Sequence, residues 1–213
     1  AATHTIFNVT NTLIFLPFLP LFVNLLNRAV PGKEFKEKPR LTDLDILMLE
    51  TPLLAIEQSR NEITRMGDGC AKMLDWLADL REQDEPDKAL ANRLKQREQV
   101  LDSIQDEVSE FVTQLLSGNV PHSVAIEGRQ QIRIADEYES ISDYVADLDK
   151  FDRKLRRDGY RFNRDQRRQL QDLHAHVSEY VTAINEGLAQ NNSNIVTQTD
   201  AMSKRVRDEI KLL

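Results

Sequence analysis

The sequence predicts an all-α protein: one membrane-spanning helix followed by an antiparallel helical bundle. Three observations predict it. Residues 1–27 contain no Asp, Glu, Lys or Arg, whereas the chain after Pro31 is densely charged to its end. Beyond Thr51 apolar residues recur at steps of three and four, the repeat of an amphipathic helix, and no strand pattern appears. Charged residues make up 30% of the 213 and aromatics only 6%, a balance that favours helix over sheet.

Residues 5–26 read TIFNVTNTLIFLPFLPLFVNLL. A helix needs about 20 apolar residues to cross a bilayer, and buried core helices seldom stay charge-free beyond about 14. A signal peptide would carry a basic start and a small-residue cleavage site, and neither is present. Pro17 and Pro20 each remove a backbone donor that lipid cannot replace. Asn8, Asn11 and Asn24 place amides at membrane depth, where they must face protein or a wet cavity. Such a helix belongs in a bundle of spans. The chain begins without Met, so the expectation is the C-terminal part of a longer, multi-pass protein. Arg28, Lys33, Lys36, Lys38 and Arg40 follow the span, which puts its C-terminal side in the cytoplasm. The division is therefore a span at 1–30, a linker at 31–50 and a helical domain at 51–213.

Within that domain Thr51-Pro52 opens the first helix, with Pro at the first helical position. Ile56, Ser59, Ile63, Met66, Cys70, Met73, Leu77 and Leu80 form its stripe, and Gly67 and Gly69 admit a close neighbour. Asp84-Glu85-Pro86-Asp87 ends it and caps the second helix, striped by Leu90, Leu94, Val100, Leu101, Ile104, Val108, Phe111 and Leu115. Gly118 to Pro121 makes a tight turn into a third, whose predicted face is Ile134, Tyr138, Ile141, Val145, Leu148 and Leu155, with Gly159 just past its end. Asn163 and Gln166 have the spacing of a capping box for a fourth helix, striped by Leu170, Leu173, Val177, Tyr180 and Ile184. A fifth follows Asn191-Asn192-Ser193, with Met202, Val206, Ile210 and Leu213. Long amphipathic helices joined by short turns pack antiparallel.

The net charge of −7 argues against a nucleic-acid partner, which needs a basic surface to displace counterions. The lone cysteine, Cys70, excludes an internal disulfide and falls on an apolar seam, as a small buried hydrophobe does. Carboxylates one helical turn apart are the obvious candidates for chemistry: Asp75/Asp79, Glu98/Asp102, Asp102/Asp106, Asp106/Glu110, Glu139/Asp143 and Asp143/Asp147. Such pairs present oxygen ligands to hard cations. The 35 acidic residues would produce roughly six of them by chance, however, and Asp102, Asp106 and Asp143 point away from the apolar seams. His174 and His176, two apart, face away from each other and cannot share a metal. His4 lies near the start of the span with no partner to name. There is no Gly-rich phosphate loop, GxSxG or HExxH, so no catalytic residues are assigned and the chain does not read as an enzyme. A sensor kinase would need a phospho-accepting histidine in a His-Glu-x-x-x-Pro context, and neither His174 nor His176 has it.

Residues 3–8, Thr-His-Thr-Ile-Phe-Asn, and the Pro-containing apolar run behind them resemble the last membrane helix of bacterial type II sodium/phosphate cotransporters. The segment Glu50-Thr51-Pro52-Leu53-Leu54-Ala55-Ile56-Glu57-Gln58, with Arg65-Met66-Gly67, resembles the start of the PhoU-like domain fused behind that helix. The resemblance implies a bacterial inner-membrane location, with the lipid bilayer and upstream helices as partners and sodium and phosphate as the transported species. It also implies a cytoplasmic PhoU-like domain, a three-helix bundle present in two copies, that regulates transport or self-assembles. Here the first copy is complete and the second has two helices. Glu98 with Asp102, and Glu139 with Asp143, match the Glu/Asp-x-x-x-Asp elements that in some members hold metal on the outer surface, implying Mg²⁺, Mn²⁺ or iron at these four residues. By helix geometry, Asp143 overshoots Asp102 by about 10 Å along the bundle, and Asp102 with Glu139 lies closest to level. Two departures matter. The fifth helix has no Glu-x-x-x-Asp element, and the Gln-Ser-Ser-Ser motifs that line the family's transport path are absent. A membrane-tethered signalling adaptor without transport activity stays open as the alternative.

Overall fold

Pro52 pre-sets the first helical φ ahead of the longest apolar stripe, and a helix grows from it. In a computed structural model, which describes residues 41–83 and 87–212, this helix is α1, Pro52–Glu82. Thr51 precedes it without a side-chain cap, so Pro52 alone marks the start. Every member of the expected stripe, from Ile56 through Ser59 to Leu80, is buried.

The second helix, α2, runs Lys88–Ser117; Asp87 caps it by accepting from the Ala89 and Leu90 amides at 2.8 and 3.2 Å. Beyond the turn at Pro121 lies α3, His122–Arg157. Gly159 ends it with φ +84°, a conformation that costs glycine nothing, and the Tyr160 amide closes on the Leu155 carbonyl at 3.0 Å. The expected capping box opens α4, Arg164–Ala189: Asn163 Oδ1 accepts from the Gln166 amide at 2.9 Å, and Gln166 Oε1 from the Asn163 amide at 3.0 Å. The last helix is α5, Ile195–Ile210.

The helices α1, α2 and α3 pack on one another as a three-helix unit, α4 packs on α1, and α5 on α4. Among the described residues there is no strand, and the all-α reading holds there. None of their helices is long and apolar enough to cross a membrane. The expected span at 5–26 and His4 lie outside the described residues, as does Leu213.

Gly67 is where α4 closes on α1. A Cβ there would sit 2.8 Å from Tyr138 Oη and 2.9 Å from Asn185 Oδ1. The bare backbone lets Asn185 Nδ2 donate to the Gly67 carbonyl at 2.8 Å while Asn185 Oδ1 accepts from Tyr138 Oη at 2.6 Å. One amide thus joins α1, α3 and α4.

Two expectations require correction. The face predicted for α3 is misphased: Tyr138 and Val145 are buried, but Ile134 and Ile141 are only half-buried and Leu148 and Leu155 are exposed. The seam that faces the core is Val124, Gly128, Gln131, Ala135, Tyr138, Ser142, Val145 and Asp149. It is built from small and polar side chains with partners near and far: Gln131 Nε2 donates to the Ile56 carbonyl of α1 at 3.1 Å, and Arg153, one turn along α3, pairs with Asp149 at 2.8 Å. The stripes expected on α4 and α5 are not core: the α4 members, Met202 and Val206 are half-buried and Ile210 is exposed, with only Val181 and Gly187 buried on α4 and Thr199 on α5. Two helices side by side cannot enclose a seam as three do.

The stretch read as the end of a linker is also structured. Thr42 and Leu44 are buried, and Ile46–Glu50 forms a 3₁₀ turn capped by Asp45. Glu107 of α2 accepts from the Leu41 and Thr42 amides at 3.0 and 3.1 Å and from the Thr42 hydroxyl at 2.5 Å. Glu62 of α1 accepts from the Asp43 amide at 3.2 Å, and Arg65 bridges Asp43 and Glu62 at 2.8 and 2.9 Å. Residues 41–50 are therefore part of the bundle's surface.

Candidate functional site

The tight turn after α2 makes α2 and α3 antiparallel neighbours, and their outward faces meet in a patch of carboxylates. Asp102 and Asp143 are exposed, while Glu98 and Glu139 are half-buried. Partial burial pushes the pKa of Glu98 above the usual glutamate value, and the charges of Asp143 and then Asp102 add to it. Glu139 is raised in the same way, by burial first, then Asp143, with Asp102 and Asp136 adding smaller contributions. All four predicted residues thus share one field. Asp143 is the acidic neighbour with the largest effect on both glutamates, from across the helix pair on Glu98 and from one turn along the same helix on Glu139, whereas Asp102 acts on Glu139 more weakly.

The nearby cations are Lys95, which offsets part of the repulsion on Glu98, and Lys150, which feels the Glu98 charge and pairs with Asp147 at 2.9 Å. Arg97 is turned elsewhere, its guanidinium 5.7 Å from the centre of the Trp76 ring, with Arg93 at 4.7 Å over the same ring. Gln105 of α2 reaches Asp136 of α3 at 2.5 Å beside the patch. Among the described residues no three acidic, His or Cys side chains converge closely enough to hold a metal as they stand. The arrangement is a coupled anionic surface with oxygen donors of the kind hard cations take, and side-chain rotation would be needed to close them around an ion.

The histidines separate as their spacing required. His174 Nε2 donates to the Leu74 carbonyl of α1 at 3.0 Å, and burial followed by the Arg81 charge pushes its pKa down. His176 points the other way, its Nδ1 2.7 Å from Glu209 of α5. Cys70 is fully buried, and burial raises its thiol to about 12, as expected of an inert core group. The grip of Glu107 and Glu62 on residues 41–50 was not foreseen: Thr42 and Glu107 are 65 residues apart, and an acid on a charged helix carries no sequence mark of a distant amide partner.

No curated protein and no solved structure matches the chain. Residues 63–149, which span most of α1, all of α2 and most of α3 and include all four carboxylates of the patch, match the family model described as the PhoU domain. This part of the bundle is similar to the PhoU domain.

Proposed function

We propose that the chain is the last membrane helix and the cytoplasmic regulatory or assembly module of a sodium-dependent phosphate transporter of the bacterial inner membrane. The observation that supports it is the join: a charge-free run at 5–26 with a basic flank precedes a bundle whose residues 63–149 match the PhoU domain. The PhoU-like domain on its own points to a regulatory role in phosphate homeostasis. The apolar run, with its prolines and asparagines, ties that role to a bundle of membrane helices. In this reading sodium and phosphate pass through helices encoded upstream. Residues 41–50 belong to the bundle, held by Glu107 and Glu62.

In the same reading Glu98, Asp102, Glu139 and Asp143 hold a divalent cation, Mg²⁺, Mn²⁺ or iron. The motivation is chemical: like charges that raise one another's pKa are relieved by a cation, and carboxylate oxygens suit these ions.

Flux measurements test the transport reading. The complete reading frame, expressed in bacteria that lack their own phosphate uptake, should give sodium-dependent movement of radiolabelled phosphate. The rate or its response to phosphate supply should change when 51–213 is deleted. A reading frame without further hydrophobic spans, giving no sodium-dependent flux, would replace the transporter with a membrane-tethered adaptor.

A further inference from the structure

We propose that the cleft between the C-terminal ends of α1 and α3 and the start of α4 binds a nucleoside phosphate, a ligand that joins an anionic group to a flat ring. The cleft encloses about 700 Å³, within the range of small-molecule sites and far more than a lone phosphate would fill. Its polar wall carries arginines in different situations, beside carboxylates, amides and His174. Arg156 is engaged by the fold: its Nε pairs with Asp152 at 2.6 Å, its Nη2 donates to the Leu80 and Arg81 carbonyls at 3.2 Å each, and its Nη1 donates to the Gln83 carbonyl. It thereby caps the end of α1, whose last carbonyls lack helical partners. Arg81, one turn along the same lining, has no hydrogen-bond or ion-pair partner among the described residues although it is half-buried.

Burial holds this guanidinium below its ordinary pKa although Asp152 and Asp149 lie within its field, and a phosphate would supply the bidentate, charge-assisted bonds that neither carboxylate makes to it. Arg161 lies on the same lining and directs one nitrogen, Nη1, to the Arg156 and Tyr160 carbonyls at 2.9 Å. The opposing carboxylates are weak competitors. Asp152 is already paired, and Glu82 and Asp172 are exposed, where solvent screens them.

The apolar part of the lining selects among anions. Tyr160 and Phe162, in the short connection between α3 and α4, line the cleft yet stay 68% and 37% exposed. Exposed aromatic rings beside guanidinium groups form a stacking platform for a base. Inorganic phosphate would leave that platform unused.

The proposal rests on the cleft alone and stands or falls apart from the transport reading. Titration calorimetry on the full chain in detergent, with EDTA present to keep divalent cations out, tests it with AMP, ATP, adenosine and inorganic phosphate. AMP and ATP should bind, with adenosine and phosphate each at least about tenfold weaker. Arg81→Gln and Arg161→Gln should each weaken AMP about tenfold, and Tyr160→Ala several-fold, with unchanged circular dichroism. Should Arg81→Gln fail to fold, the exposed positions Arg161 and Tyr160 carry the test. No heat from AMP or ATP at millimolar concentration would overturn the proposal, as would binding that Arg161→Gln and Tyr160→Ala leave unchanged. Phosphate binding as tightly as AMP would overturn the ligand class.

Discussion

Leu77→Ala and Ile63→Ala are each expected to destabilise the bundle by about 2–5 kcal/mol, the range for large-to-small changes in a closed core. Leu77 is 0% exposed and Ile63 nearly so. Both lie on α1, the helix that α2, α3 and α4 all pack against. A void on α1 can close only if more than one neighbouring helix shifts, so relaxation recovers little and Leu77→Ala should fall toward the upper end. Leu53→Ala on the same helix, where the side chain is exposed, should change stability by no more than about 0.5 kcal/mol. Urea unfolding of the purified chain, followed by circular dichroism, measures all three. Midpoints for Leu77→Ala and Ile63→Ala within error of the parent would show that the seam of α1 is not the core.

Saturation with Mn²⁺ or Mg²⁺ is expected to stabilise the folded chain by about 2–3 kcal/mol at a hundredfold excess over the dissociation constant, and Asp102→Asn/Asp143→Asn should remove that gain. The reasoning starts from repulsion. Glu98 and Glu139 have pKa values raised above the unfolded chain's by burial and by Asp143, so the folded state holds their protons more tightly. Their cost to stability is absent below the ordinary glutamate value and complete once the pH exceeds the raised one. At neutral pH without divalent cations, Asp143→Asn should therefore stabilise the bundle, with an advantage that fades as the pH falls through the glutamate range. A bound cation reverses the balance, because the carboxylates become ligands and their loss becomes costly. Thermal melts with and without metal, at neutral and mildly acid pH, separate the two regimes. An equal gain from metal in the parent and the double variant would remove the site.

The stripe of α1 was legible because its core residues are large, apolar and regularly spaced, and the caps at Asp87, Asn163 and Gly159 because each rests on a local hydrogen bond or backbone conformation. The seam of α3 was not. Its core face carries Gln131, Ser142 and Asp149, while Leu148 and Leu155 are exposed, so hydrophobicity alone selects the wrong phase of the helix. The burial of Gln131 depends on the Ile56 carbonyl, 75 residues away in sequence. The acidic patch lies between these cases. Helix geometry placed its four residues on outward, adjacent faces, but not which charges act most on each: Glu98 feels Asp143 of the facing helix before Asp102 of its own, while Glu139 feels Asp102 only after Asp143. The Arg81 cleft left no trace in the sequence, since a basic residue in the last turn of a helix is ordinary for its dipole.

The most direct test of the proposed link between a membrane span and a cytoplasmic bundle is the side of the membrane on which residue 38 lies. A Lys38→Cys variant in intact cells, treated with a membrane-impermeant maleimide, needs no removal of Cys70, whose thiol is fully buried and raised to about 12. The basic flank predicts no labelling of intact cells and full labelling once the inner membrane is permeabilised. Labelling in intact cells would place the flank and the bundle outside the cytoplasm and contradict the topology.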